Sequence, residues 1–163
     1  MKTSLMESDN REAAVSQPLV YVVVITYNGK RFLEKCFSTL LKTDYDNLRI
    51  VLVDNESSDG SGAFVKQHFA AVDLLRLDST AGFAGATYAG IRYATERTAE
   101  YICFFNDDTG IIDPRWLSAA IGYCQKQPTI GVVGFEEIPD ESTAVIPESI
   151  DIEDTHVVVG FGL

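Results

Sequence analysis

The sequence predicts an α/β fold, a mostly parallel sheet with helices on both faces. Two observations carry this. Leu19–Thr26 (LVYVVVIT), Leu48–Asp54 (LRIVLVD) and Tyr101–Phe105 (YICFF) are continuous apolar runs, the mark of strands covered on both sides. Segments of helical periodicity or small-residue composition separate them, and strand alternating with helix implies parallel pairing. The 163 residues fit one domain, which we place at 18–163, after a polar tail at 1–17 that lacks the apolar core of a signal peptide.

Each element has its own signal. Tyr27-Asn28-Gly29 is the turn after the first run. Lys30–Leu41 follows as a helix, with Phe32, Leu33, Cys36, Phe37, Leu40 and Leu41 on one face. Asp44–Asn47 is a turn, then comes the second strand, and Asn55–Gly60 is a loop of turn formers. Ser61 is placed as the cap of a helix over Gly62–Phe69, and Val72–Leu77 as a third strand. Gly82–Glu96 reads as a helix holding Gly82, Gly85 and Gly90. Each glycine weakens a helix by about 1 kcal/mol relative to Ala, so close approach of backbone or ligand is the expected reason for them. Tyr101–Phe105 is the fourth strand, the most buried by composition. Asp113 and Pro114 suit a helix start running to about Gln127. Ile130–Phe135 and His156–Phe161 are expected as a fifth and sixth strand, with an acidic loop at 136–154 between them.

Composition excludes several classes. The net charge of -11 argues against non-specific nucleic-acid binding, which needs Lys and Arg on phosphates. Cys36, Cys103 and Cys124 match no metal spacing; Cys36 and Cys103 read as buried small hydrophobes in a reducing compartment. His68 and His156 have no ligand partner at metal spacing. No apolar run reaches membrane-spanning length.

Ligands of open α/β sheets bind beyond the carboxyl ends of the strands. There the sequence places Thr26, Tyr27 and Asn28, then Asp54 and Asn55, then Asn106, Asp107 and Asp108. Adjacent carboxylates after a buried strand repel each other, and a divalent cation relieves the repulsion. Mg²⁺ and Mn²⁺ prefer one or two carboxylates completed by phosphate oxygens and water. Neither a P-loop nor a dinucleotide glycine fingerprint is present.

The strings Val-Ile-Thr-Tyr-Asn (24–28), Val-Asp-Asn-Glu-Ser-Ser-Asp-Gly-Ser (53–61), Ala-Gly-Phe-Ala-Gly-Ala (81–86) and Phe-Asn-Asp-Asp-Thr (105–109), in this order and spacing, resemble the family 2 glycosyltransferases of the GT-A fold. The rhamnosyltransferase-like branch is most similar, over about Leu19 to Phe135. The resemblance implies a nucleotide-sugar pocket. Thr26 and Asp54 would line the base site, with Asp54 accepting hydrogen bonds from base or ribose. Tyr27 and Asn28 would border it, Asp59 would brace the loop or contact the nucleotide, and Gly82, Phe83 and Gly85 would shape the floor. Asn106-Asp107-Asp108 matches the family's D-x-D. Asp108 would be the first metal ligand, and Asp107 a second ligand or a ribose or sugar contact. The cofactor would be Mn²⁺ or Mg²⁺ and the donor a UDP-, dTDP- or GDP-sugar. A glycan or lipid-linked acceptor is implied, with surface-polysaccharide synthesis in the cytoplasm and peripheral contact at the inner membrane face.

Asn106, Thr80 and Tyr88 depart from the family's usual residues. The acid that acts as general base follows the last strand in the family; Glu153-Asp154 precedes it here and reads as loop acid. The catalytic base is therefore unassigned, and the chain reads as the donor-binding half of such an enzyme. A catalytically silent nucleotide- or partner-binding domain of the same fold is the alternative. A haloacid-dehalogenase-type phosphatase is disfavoured, because its nucleophile would fall on Asn106, which cannot form an aspartyl phosphate.

Overall fold

A computed structural model of the chain describes residues 17–127 and 129–134. The elements run β1 (Val20–Thr26), α1 (Lys30–Leu40), β2 (Leu48–Asp54), α2 (Ser61–His68), β3 (Val72–Arg76), α3 (Gly82–Thr95), β4 (Tyr101–Asn106) and α4 (Trp116–Lys126). The strands form one sheet of order β3-β2-β1-β4, and every pairing is parallel.

Strand pleating sends alternate side chains to opposite faces. Val22, Val24, Ile50 and Leu52 meet Leu33, Cys36, Phe37 and Leu40 of α1 and Val65 of α2. Val20 on the same face meets Leu117 and Ile121 of α4. Tyr21, Val23, Ile25, Val51 and Val53 point the other way, onto Ala86 and Ala94 of α3. Outward steps β1→β2→β3 thus use helices on one face, and the return to β4 uses a helix on the other. Crossovers of a single hand require that arrangement. The order reverses between β1 and β4, and this is the switch point at which ligand crevices open.

Four expectations need correction. α2 begins at Ser61 rather than after it: its N-cap is Gly60, at φ 87°. α4 begins at Trp116, because Asp113 and Pro114 form a turn in which Asp113 Oδ1 accepts the Arg115 N–H. β4 is half-buried rather than the most buried strand; among the described residues it pairs only with β1. No strand forms over 130–134, where Gly131 interrupts the run and Val132 is 68% exposed. Phe135, the acidic loop and the strand expected at His156–Phe161 lie outside the described residues. Gln17, assigned to the tail, is tied down: its side-chain oxygen accepts the Asp46 N–H and its carbonyl accepts Asn47 Nδ2. Among the described residues no helix is long and apolar enough to cross a membrane.

Candidate nucleotide-binding cleft

Buried polar side chains need partners, so where they gather is informative. Among the described residues they are Thr26, Asp54, Asn55, Ser57 and Ser61. All five lie at or just beyond the carboxyl ends of β1 and β2, and none of their buried polar atoms lacks a hydrogen bond. This edge is built, not merely decorated with turn residues.

The strand-end loops are stitched together. Thr26 Oγ1 donates to Asp107 Oδ2 at 2.5 Å, joining the end of β1 to the loop after β4. A methyl group on Gly29 would overlap the same carboxylate oxygen, so the bare glycine lets Asp107 reach Thr26. Asn28 stands at φ 57°. Its N–H donates to Ser57 Oγ, and its Oδ1 accepts from Ser58 N–H and Oγ. Asp59 joins two helix starts: Oδ2 accepts the Lys30 N–H, and Oδ1 accepts the N–H and Oγ of Ser61. A carboxylate there is favoured by both helix dipoles. What burial it has works to raise the Asp59 carboxyl, but the Ser61 hydroxyl and the Lys30 and Ser61 N–H groups outweigh it and hold it below the usual value.

Between these loops and the start of α3 opens a cleft of about 350 Å³, lined by Ile25, Tyr27, Asn55, Thr80, Gly82, Phe83, Asn106, Asp107 and Asp108. Seven of the residues singled out in the sequence converge here: Tyr27, Asn55, Gly82, Phe83, Asn106, Asp107 and Asp108. Tyr27 and Phe83 are 60% and 50% exposed, aromatic surface held open to solvent. Gly82 takes φ 66°, a left-handed conformation at which a side chain is strained. Thr26 stands behind the lining as the partner of Asp107. Asn28 and Asp59 face a neighbouring depression of about 590 Å³, with Lys30, Arg31, Glu34 and Phe64. Gly85 is inside α3, where an added methyl would come within 2.6 Å of Ala81 Cβ.

Asp54 is placed differently from the expectation. It is 0% exposed and does not line the cleft. Its Oδ1 accepts the Ser57 N–H and its Oδ2 accepts Arg76 Nη1. Pleat parity is the reason: Asp54 follows Ile50 and Leu52 onto the α1/α2 face, while Ile25 and Asn55 turn toward the cleft on the α3 side. Asn55 is the residue sequence reasoning underweighted, and counting in twos from the buried strand would have found it. Its Oδ1 accepts the Ala81 N–H, while Glu56, at φ 67°, accepts the Thr80 N–H. The entrance to α3 is therefore held by the loop after β2.

The two adjacent carboxylates stand together on the wall of the cleft. Burial pushes the Asp107 carboxyl above its usual value; the Thr26 hydroxyl pulls the other way, and the charges of Asp108 and Asp59 push it further up. Asp108 is exposed beside it. Among the described residues no three His, Cys, Asp or Glu side chains converge as a protein-only cage. Two carboxylates on an open cleft fit Mg²⁺ or Mn²⁺ that a phosphate ligand would complete. Cys36 lies beneath, and burial, then Asp107 and Asp108, push its thiol up to about 12.

Comparison with known proteins agrees with this arrangement. Residues 21–153 match the family described as Glycosyl transferase family 2. Glycosyltransferase GlyG of Streptococcus pneumoniae is 33% identical over 128 residues, 76% of this chain and 41% of that protein. The dTDP-rhamnosyl transferase RfbF of Shigella flexneri is 32% identical over 95 residues, 56% of this chain and 30% of that protein. The mannosyltransferase PcManGT from Pyrobaculum calidifontis, solved in complex with GDP-Man and Mn²⁺, superposes with a TM-score of 0.69 at 26% identity, covering 77% of this chain and 37% of that one. The chain spans less than half the length of each of these relatives. With the motifs in order, a parallel sheet reversing at a cleft and the family match covering most of its length, the chain belongs to glycosyl transferase family 2 and has the GT-A fold.

Proposed function

We propose that the cleft binds the nucleoside diphosphate of a UDP-, dTDP- or GDP-sugar, and that the domain, spanning 18–163 after a short tail, supplies the donor half of a metal-dependent glycosyl transfer. One observation supports this above the others. The Thr26–Asp107 bond spans the switch point, and two carboxylates, two amides and two exposed aromatic rings line the one cleft beside it. Its volume falls within the usual range for small-molecule sites, about 300–1,000 Å³.

The roles follow from position. Tyr27 and Phe83 offer π-faces to a base, and base–aromatic stacking is worth about 1–3 kcal/mol. Asn55 and Asn106 offer amides to its edge or to the ribose. Gly82 and Gly85 keep the floor low. Thr26 orients Asp107, which would contact ribose or sugar and help hold the cation, with Asp108 as its principal ligand. Asp54, Asn28 and Asp59 hold the loops from behind. When bound, the cation supplies Lewis-acid neutralisation of the diphosphate leaving group. The acceptor hydroxyl attacks the anomeric carbon from the opposite side, inverting it, and its proton passes to a carboxylate base that we assign to no described residue. The Mn²⁺ and GDP-Man bound to PcManGT support a divalent ion and a nucleotide-sugar donor, and the dTDP-rhamnosyl transfer of RfbF supports the same donor class; a cell-surface glycan product belongs to this reading. Work at the inner membrane face belongs to the same reading.

Titration calorimetry with UDP, dTDP and GDP, each with and without Mn²⁺, tests it. Binding of one of them that strengthens with Mn²⁺ is expected, and Asp108→Ala should remove the metal-dependent part. No metal-dependent binding to any of the three would overturn the reading.

A further inference from the structure

The parallel register sets Asp54 directly beside Arg76, the last residues of β2 and β3. The guanidinium forks. Nη1 donates to Asp54 Oδ2 at 3.0 Å and Nη2 donates to the Ser57 carbonyl at 2.9 Å. Asp54 in turn accepts the Ser57 N–H at 2.7 Å. Gly62 closes the site from α2; a methyl there would come within 2.6 Å of Asp54 Oδ2. Ser57 is thus gripped at both its N–H and its C=O, and it passes that grip to both walls of the cleft. Its Oγ accepts the Asn28 N–H from the loop after β1. Two residues back, Asn55 accepts the Ala81 N–H at the start of α3. Arg76 itself lines neither depression.

We propose that Arg76 is a positioning residue for the cleft. Acting through Asp54 and Ser57, it fixes the 54–58 loop, so that Asn55, Tyr27 and the α3 entrance stand at the spacing a nucleotide needs. The inference rests on the nucleotide-binding reading for its affinity arm but not for its structural arm. A planar fork suits the task because a lysine ammonium holds one acceptor well and cannot bridge two with the same geometry.

The test compares Arg76→Met, Arg76→Lys and Arg76→Met/Asp54→Asn with the wild-type chain. Thermal midpoint, calorimetric affinity for the tightest of UDP, dTDP and GDP with Mn²⁺, and the amide NMR signals of Asn28, Asn55 and Ala81 without nucleotide are recorded for each. Arg76→Met leaves a buried carboxylate without its counter-charge, so its midpoint falls. The double variant removes that charge and Arg76→Lys restores the cation, so both regain midpoint. All three are expected to bind nucleotide more weakly, by about 10-fold for each 1.4 kcal/mol of lost positioning, and to shift the three amide signals. Recovery of affinity together with midpoint would show Arg76 to be merely structural and overturn the proposal. So would amide signals that stay at their wild-type positions. If the wild type binds none of the nucleotides, the functional reading fails, and the amide signals still decide the role of Arg76.

Discussion

At the scale of single residues, Asp107 carries the most consequence. Its carboxyl is raised by burial first, against the pull of Thr26 and with the push of Asp108. A carboxyl with a folded pKa above its unfolded one binds its proton more tightly in the native state. Without a cation, its contribution to stability therefore rises as pH falls through the folded value and levels off below the unfolded one. Asp59 is lowered and does the opposite: its contribution is present above the unfolded value and lost as pH falls through the folded one. Comparing thermal midpoints of wild type and Asp107→Asn between about pH 7 and about pH 4 isolates the first. The wild type should gain on the variant as pH drops. Mn²⁺ should bind progressively more weakly over the same range, because a protonated carboxyl does not ligate. The sequence showed the crowding of Asp107 and Asp108 and chose both. It misplaced Asp54, because a run such as LRIVLVD is apolar on both sides and hides which parity faces the ligand.

At the scale of elements, α3 shows why a glycine-rich helix is tolerated. Gly90 lies against Val23 of β1, and a methyl there would overlap Val23 Cγ1. Gly→Ala in a helix normally gains about 1 kcal/mol. Here the neighbour is β-branched and stiff, at the centre of the sheet, and overpacking costs about 1–3 kcal/mol. Gly90→Ala should therefore be net destabilising in denaturant titration. Gly122 of α4 has nothing within 4 Å of an added methyl, so Gly122→Ala should stabilise by up to about 1 kcal/mol. The same measurement on both tests whether contact rather than propensity rules α3. The sequence located both helices by their patterns but could not distinguish these glycines, since the difference is made by Val23, far away in the chain. The start of α4 was misread for a local reason: Asp113 caps a turn before the helix instead of the helix itself.

At the scale of the whole molecule, stability is divided between two faces of one sheet, and the α1 side is the larger. Phe37 is fully buried there against Phe69, with ring centroids 5.4 Å apart. Phe37→Ala should cost about 3–5 kcal/mol by urea unfolding. A loss below about 1 kcal/mol would mean that this core collapses around the gap. Strand runs made the order of elements legible through β4. The run over 130–134 did not become a strand, because a sequence window reports apolarity and not whether a partner edge is in reach. The cleft adds a property that no single element has. Thr26 and Asp107 are 81 positions apart, and the walls come from four separate stretches of chain. Long-range closures of this kind form late, after loop-closure entropy has been overcome. The pocket therefore comes into being only when β4 docks on β1, after residue 108 has emerged during synthesis. A nascent chain shorter than that has no such cleft to offer a ligand.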